Sequence, residues 1–130
     1  MSSVLVDSSV WIEYFRNKNS SVSKSVDLLM DADAICTNDL ILSELIPILI
    51  LQKQTKIIES LNSIPKFPLN IDWKEIIEMQ VLNLKQSIQK VGIPDLLIAQ
   101  NAIQHHATLF TLDKQFQKMS KHAKLKLFEG

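Results

Sequence analysis

The sequence is poor in the residues that cross-link a chain or break its regular structure. Its 130 residues include a single cysteine, Cys36, and two glycines, Gly92 and Gly130. One cysteine excludes a disulfide framework and a cysteine-based zinc site, and is typical of a reducing compartment. With few glycines and no repeats, nothing resembles a flexible linker. Residues 1–130 are therefore expected to form a single domain.

The chain also has no excess of positive or negative charge and no long hydrophobic run. Fourteen basic residues balance 14 acidic ones, so no overall field marks a nucleic-acid or membrane binder. The apolar stretch Leu40–Leu51 has twelve residues, too few to span a bilayer. The opening MSSVLVDSS has no basic segment followed by a long apolar one, so no secretory signal is predicted. We expect a cytoplasmic protein.

What the chain does contain is an alternation of apolar strand-like and amphipathic helix-like segments. SVLVD and TLFTL read as buried strands, each followed by a helical pattern, and AICT, IPKFPLNI and LKLFE are further short strand candidates. Asn38 is a plausible N-cap, Gly92 a plausible helix end, and Pro94 suits the first turn of the next helix. The alternation predicts an α/β fold, a three-layer α/β/α arrangement with a central parallel sheet of about five strands.

Four carboxylates stand out in this pattern. Asp7 and Asp113 directly follow two predicted strands, and ligands of open α/β sheets bind beyond the carboxyl ends of strands. Asp95 begins a helix, and Glu44 lies in the otherwise apolar run LILSELIPILI. If the two strands are neighbours, the four groups converge and repel one another, which hard divalent cations such as Mg²⁺ or Mn²⁺ relieve.

Each acid also has an ordinary structural explanation. Asp7 and Asp113 are good turn or cap residues, and Asp95 suits the positive end of its helix. Glu44 fits such an explanation least, because a charged carboxylate among apolar residues must pair, protonate, reach water or bind a cation. A buried lysine partner for Glu44 remains an alternative.

Four blocks of the chain resemble, in order and spacing, those of PIN-domain ribonucleases, and most closely the VapC-type toxins of bacterial toxin-antitoxin pairs. The blocks are VLVDSSVWIEYFR, TNDLILSELIPIL, IPDLLIAQNA and ATLFTLDKQF, and they extend from Val4 to Phe116. The resemblance implies a PIN-like parallel sheet whose first and fourth strands are neighbours. It also implies a metal-dependent endoribonuclease that leaves a 5′-phosphate and a 3′-hydroxyl.

The resemblance further implies roles for particular residues and partners. The acidic pocket, which would bind Mg²⁺ or Mn²⁺ and carry catalysis, consists of Asp7, Glu44, Asp95 and Asp113, with hydroxyl support from Ser8 and Thr111. The expected partners are an RNA substrate, a VapB-type antitoxin protein and a second copy of the chain in a homodimer. Many relatives carry another acid where this chain has Gln115, so the number of metal ions stays open.

Charge is uneven along the chain, and its last residues are basic. Between Asp113 and Gly130 five lysines oppose two acids. Lysines near the pocket, and the cations beyond the first helix, are candidates for RNA phosphate contacts, although each is equally well explained as part of a solvated face. These candidates are Arg16, Lys18, Lys114, Lys118 and Lys121.

Two other functions are kept as alternatives. A phosphoacceptor receiver-like regulatory module would also have an acidic Mg²⁺ pocket, and Lys114 follows Asp113, but the acidic pair expected near its first strand is absent. A degenerate nuclease domain could serve only as an interaction surface, against which the intact carboxylates argue. The histidines at 105, 106 and 122 are better explained by the helix dipole and surface than by ligation.

Overall fold

The computed structural model of the protein describes residues 3–129, in which three strands and seven helices follow one another. The strands are β1 (Val4–Val6), β2 (Ile35–Cys36) and β3 (Thr108–Phe110). The helices are α1 (Ser8–Arg16), α2 (Ser21–Asp31), α3 (Asp39–Leu51), α4 (Thr55–Asn62), α5 (Trp73–Lys85), α6 (Ile93–Gln104) and α7 (Lys114–Met119).

The strands form a parallel sheet in the order β2-β1-β3. Val4 pairs with Thr108 and Val6 with Phe110, so β1 and β3 are neighbours in register. All three residues of β1 are buried. Because successive side chains of a strand point to opposite faces, complete burial means that both faces of the sheet are covered. The predicted α/β fold with a parallel sheet between helical layers is confirmed.

The predicted number of strands is wrong. Among residues 3–129, two of the five expected strands are reduced to single bridges, one between Thr37 and Lys66 and one between Leu109 and Leu127. In IPKFPLNI, Pro65 and Pro68 flank Lys66, and proline has no N–H to donate to a neighbouring strand. In LKLFE, only Leu109 of the three-residue strand β3 provides a partner.

The helix starts follow local capping chemistry. Asn38 caps α3, its side chain accepting from the backbone N of Ile41 at 2.9 Å, as predicted. Pro94 occupies the first turn of α6, also as predicted. Pro47 lies inside α3, which nevertheless continues to Leu51.

Gly92 does not end the preceding helix, contrary to the prediction. α5 ends at Lys85, and Ser87 takes a left-handed backbone conformation with φ of 60°. The N–H of Ile88 then donates to the carbonyl of Asn83 at 2.8 Å, which is the closing bond of a Schellman motif. Gly92 is instead the N-cap of α6.

The core is continuous across the layers. Leu5 and Leu109 of the sheet pack in one cluster with Ile41 of α3 and Leu96 of α6, all of them without solvent exposure. Within residues 3–129 no helix combines the length and the apolar character that crossing a membrane requires. The starts of α1 and α7 thus follow the ends of the neighbouring strands β1 and β3.

Candidate active site

Asp7 lies where the neighbouring strands β1 and β3 end. Its backbone N donates to the carbonyl of Phe110 at 2.9 Å, which ties the last residue of β3 to the start of α1. The residue is only 5% exposed. Although Asp7 is the N-cap of α1, its carboxylate makes no capping hydrogen bond. The ordinary explanation of Asp7 as a helix cap therefore does not account for it.

Two hydroxyl groups hold the Asp7 carboxylate instead. Ser9 Oγ donates to Asp7 Oδ2 at 2.8 Å and Thr111 Oγ1 donates to the same oxygen at 2.9 Å. Both hydroxyls also accept backbone hydrogen bonds, from Leu112 N and Asp113 N, each at 3.0 Å. Each hydroxyl proton is thereby directed toward Asp7, so the carboxylate is held in one orientation.

Thr111 was one of the two hydroxyl residues named from the sequence, and its hydroxyl does bind Asp7. The second hydroxyl that binds Asp7 is that of Ser9. Ser8, the residue named from the sequence, instead lies near Glu44, where hydrogen bonding from its side chain lowers the pKa of that carboxyl. In the first turn of a helix adjacent residues point in different directions. In the sequence DSS, nothing indicates which of the two consecutive serines binds the Asp7 carboxylate.

Glu44 lies on α3 and is exposed to solvent. Its apolar sequence neighbours had suggested that it would be buried. The exposed neighbours Pro47 and Ile48 show that this face of the helix is not part of the core. Partial burial of the carboxylate still raises the pKa of Glu44 above its ordinary 4.5, and the charges of Asp7 and Asp95 raise it further. Glu44 therefore reaches both water and the other acids.

Asp95 is half-buried in the first turn of α6. Burial raises its pKa above the ordinary 3.8, the carboxylate of Asp113 raises it next, and Asp7 adds a smaller effect. A hydrogen bond from the backbone of Gly92 acts in the opposite direction. Asp95 is the third helical residue after the N-cap Gly92, which is the position of the acid in a capping box.

Asp113 caps α7, and its Oδ1 accepts from the backbone N of Gln115 at 2.9 Å. Its ordinary role as a cap is therefore present, and it leaves Oδ2 for other interactions. Since its charge acts on Asp95, it belongs with the other three acids.

The four predicted carboxylates are thus linked through the effects of their charges on one another, and none of them forms an ion pair in residues 3–129. In residues 3–129 the ion pairs are Arg16 with Glu13 and Lys66 with Asp39. The four acids of the pocket take part in neither pair. The alternative of a buried lysine partner for Glu44 is not observed.

The donor set fits a hard divalent cation. Carboxylate oxygens are the ligands that Mg²⁺ and Mn²⁺ prefer, and Mg²⁺ commonly uses one or two carboxylates and completes its octahedron with water. Within the described part of the chain, no three His, Cys, Asp or Glu side chains lie close enough together to hold a metal ion as a group.

The cations proposed for RNA contact divide into two groups. Arg16 pairs with Glu13 on its own helix, and Lys18 Nζ lies 3.5 Å from the centre of the Tyr14 ring, so both are already engaged. The other three are exposed and lie on α7 or directly after it, and within residues 3–129 they form no ion pair. They are Lys114, Lys118 and Lys121.

The histidines lie elsewhere. His105 stacks on Phe67 with ring centres 4.3 Å apart, and it caps the C-terminal end of α6, opposite the end that carries Asp95. His106 and His122 are exposed. Their ordinary structural roles agree with the sequence interpretation.

The family follows from comparison of the chain with known proteins. Residues 4–122 match the family model described as the PIN domain. The chain belongs to the PIN domain family. Comparison with curated proteins gives no match.

Solved structures show the same PIN fold. VapBC from Salmonella typhimurium bound to DNA has a TM-score of 0.76 at 16% identity, with 98% of both chains covered. VapBC2 from Rickettsia felis, bound to a promoter fragment, has a TM-score of 0.72 at 22% identity, with 96% of both chains covered. VapBC-5 from Mycobacterium tuberculosis has a TM-score of 0.69 at 19% identity, with both chains fully covered. Membership of the PIN family replaces the receiver-like alternative.

Proposed function

We propose that this PIN domain is a metal-dependent endoribonuclease and the toxin of a type II toxin-antitoxin pair. The observation that carries the proposal is the convergence of four carboxylates, with no protein cation among them, beyond the ends of β1 and β3. A folded protein that keeps mutually repelling acids together usually does so for a site rather than for stability. PIN domains are generally nucleases, which agrees with such a site.

Asp7, Glu44, Asp95 and Asp113 are proposed to hold Mg²⁺ or Mn²⁺ in the acidic pocket. When bound, the ion neutralises phosphate charge and lowers the pKa of a bound water. Ser9 and Thr111 keep the Asp7 carboxylate oriented through their hydroxyl bonds to Oδ2.

Glu44 has a second proposed role beside metal binding. Because its pKa is raised and it remains exposed, it is suited to take a proton from a water at the edge of the pocket. Hydrolysis by this route would leave a 5′-phosphate and a 3′-hydroxyl.

The proposal is tested by RNA cleavage with the purified protein. We expect cleavage in Mg²⁺ or Mn²⁺ and none in excess chelator, with a 5′-phosphate at each new end. Sequencing of RNA ends after induced expression, with Asp7→Ala as the inactive reference, identifies the sites that are cut in cells. A protein that binds RNA but never cuts it under these conditions would instead be the degenerate domain considered above.

A groove between α1, α2 and α4 supports an antitoxin partner. Its walls are apolar and aromatic, with two lysines, Lys18 and Lys56, and it encloses about 220 Å³. These features suit an apolar peptide segment that carries acidic side chains. The structural neighbours are VapBC complexes, and we propose a VapB-type antitoxin here.

A homodimer is proposed from a second surface. Four large apolar side chains on α5 are exposed at helical spacing, and they form one stripe along the helix. They are Trp73, Ile77, Val81 and Leu84. We expect light scattering at about 10 µM, a concentration above typical dimer dissociation constants, to give twice the mass of the chain. The double substitution Ile77→Asp and Leu84→Asp should give the monomer mass, whereas a monomeric wild type would contradict the proposal.

The lysines of α7 are proposed to bind RNA phosphates at the rim of the acidic pocket. Replacing Lys114, Lys118 and Lys121 with glutamine should weaken RNA binding equally for different sequences. The slope of log affinity against log salt should fall by about 2, since each lost contact with a single strand removes about 0.7. Titration of labelled RNA at several salt concentrations measures this slope.

A matched triple variant controls for total charge. Lys24, Lys74 and Lys85 are exposed lysines on α2 and α5, and their replacement with glutamine should leave the slope nearly unchanged. If the two triple variants give equal slopes, the RNA path lies elsewhere.

The proposed setting for this activity is the cytoplasm, with which the single free Cys36 is compatible.

A further inference from the structure

Gln115 contacts both the Asp113 carboxylate and the loop that precedes Asp95. Its Nε2 donates to the backbone carbonyl of Gln89 at 2.6 Å, and its backbone N donates to Asp113 Oδ1 at 2.9 Å. One residue therefore joins the capped start of α7 to the loop 86–92, which connects α5 to α6.

The loop 86–92 leads directly to Asp95. Ser87 and Lys90 have φ values of 60° and 63°, a left-handed conformation that costs energy for residues with a side chain. The loop is held to α5 by Gln80, whose Nε2 donates to the carbonyl of Val91 at 2.8 Å. Gln115 holds it from the other side, so the start of α6 lies between two amide contacts.

The spacing between Asp95 and Asp113 depends on this arrangement. Asp95 lies three residues after the end of the loop, in the first turn of α6, and Asp113 accepts from the backbone N of Gln115. A shift of the loop relative to α7 would therefore move one carboxylate relative to the other. The bond from Gln115 to the Gln89 carbonyl opposes such a shift.

Only a donor at position 115 can make this bond. Gln115 Oε1 is buried and accepts no hydrogen bond from residues 3–129, so Nε2 is the end of the amide that is used. A carboxylate in its place would have no proton to donate and would repel the carbonyl oxygen. The amide of Gln115 thus suits the Gln89 carbonyl in a way that a glutamate side chain would not.

We infer that Gln115 is a positioning residue, which sets the spacing of Asp95 and Asp113 by holding the loop 86–92 against α7. The inference rests on the proposed function for its consequence, the binding of a divalent cation. It assigns Gln115 a function of its own in place of a lost metal ligand.

The test uses Gln115→Leu and Gln115→Glu, which both remove the donor and of which the second preserves side-chain length. Hydrogen exchange of the backbone amides at 87–92 is measured in the absence of metal and RNA. Mn²⁺ affinity is measured by electron paramagnetic resonance without RNA. In both variants we expect loop exchange to be faster and Mn²⁺ binding to be weaker by about threefold to tenfold, the factor for one neutral hydrogen bond.

Two controls separate positioning from a general effect on the fold. Gln117→Leu changes an exposed residue of the same helix that makes no side-chain hydrogen bond in the described residues. Gln89→Ala retains the carbonyl that accepts from Gln115. Both should exchange and bind Mn²⁺ like the wild type.

The inference is overturned if Gln115→Glu binds Mn²⁺ more tightly while loop exchange stays unchanged, because the acid would then act as a ligand. It is also overturned if Gln115→Leu leaves loop exchange unchanged. Absence of RNA cleavage in the wild type would instead count against the proposed function, and it would leave the loop measurement intact.

Discussion

Replacement of Asp7 by asparagine is expected to reduce Mg²⁺-dependent RNA cleavage by about 10³-fold, since a metal-binding charge contributes several kcal/mol to the transition state. The fold should survive. The asparagine carbonyl can accept from Ser9 and Thr111, whose hydroxyls are oriented by backbone donors on their other side. Initial rates and melting temperatures of the purified variant measure the two effects separately.

Asp31→Asn is the matched control, because Asp31 is an exposed aspartate at the end of α2. It should cleave RNA at the wild-type rate. Asp7→Asn with undiminished cleavage and an intact melting transition would remove Asp7 from the proposed pocket. An unfolded Asp7→Asn would show that its hydroxyl bonds are needed for the fold itself.

Glu44→Gln is expected to reduce the cleavage rate by about 10²-fold or more. Without metal, the variant is expected to be slightly more stable than the wild type. The loss follows from removing a charge that serves the ion or the attacking water. The gain follows because the amide ends the repulsion from Asp7 and Asp95. Since Glu44 is exposed and screened by solvent, the rise in melting temperature at neutral pH should be only about 1 to 3 °C.

The sign of the pH dependence follows from the raised pKa values of Glu44 and Asp95. Between the ordinary carboxyl pKa values and the raised folded ones, the folded state binds more protons than the unfolded state. The contribution of these groups to stability is therefore complete below the ordinary values and is lost as the pH rises through the folded values. Mg²⁺ should restore part of that loss at neutral pH.

Thermal melts of metal-free protein across this pH range, with and without Mg²⁺, measure the effect. The stability that is lost on raising the pH should be smaller in Glu44→Gln than in the wild type. Glu59→Gln, an exposed glutamate on α4, is the control and should titrate like the wild type. Equal pH profiles for wild type and Glu44→Gln would mean that Glu44 does not share the pocket with the other acids.

Much of the candidate site was predictable because it follows from where strands end. Asp7 and Asp113 each come directly after an apolar run, and in a parallel sheet such positions share one edge. The start of α6 was equally readable, from Pro94 in its first turn and the acid beside it. These inferences need only local sequence, because a few adjacent residues determine where a strand ends and where a helix starts.

The features that were missed depend on contacts between distant parts of the chain. Ser9 was not distinguished from Ser8, since the choice depends on Thr111 and Leu112, more than 100 residues away. The missing strands reflect limited pairing: LKLFE has the composition of a strand, but β3 offers it one bridging residue. The end of α5 was misplaced because Ser87, and not a glycine, takes the left-handed turn.

The sequence by itself determined the α/β alternation, the N-cap Asn38, the first-turn Pro94 and the four acids, because periodicity and capping act over short separations along the chain. Only the tertiary structure decided which acids act on one another and that Glu44 lies exposed to solvent. It also decided that Gln115 reaches the Gln89 carbonyl. Charge repulsion and hydrogen bonds depend on the distances between side chains of different elements. Those distances are set by the packing of α3, α6 and α7 around the sheet.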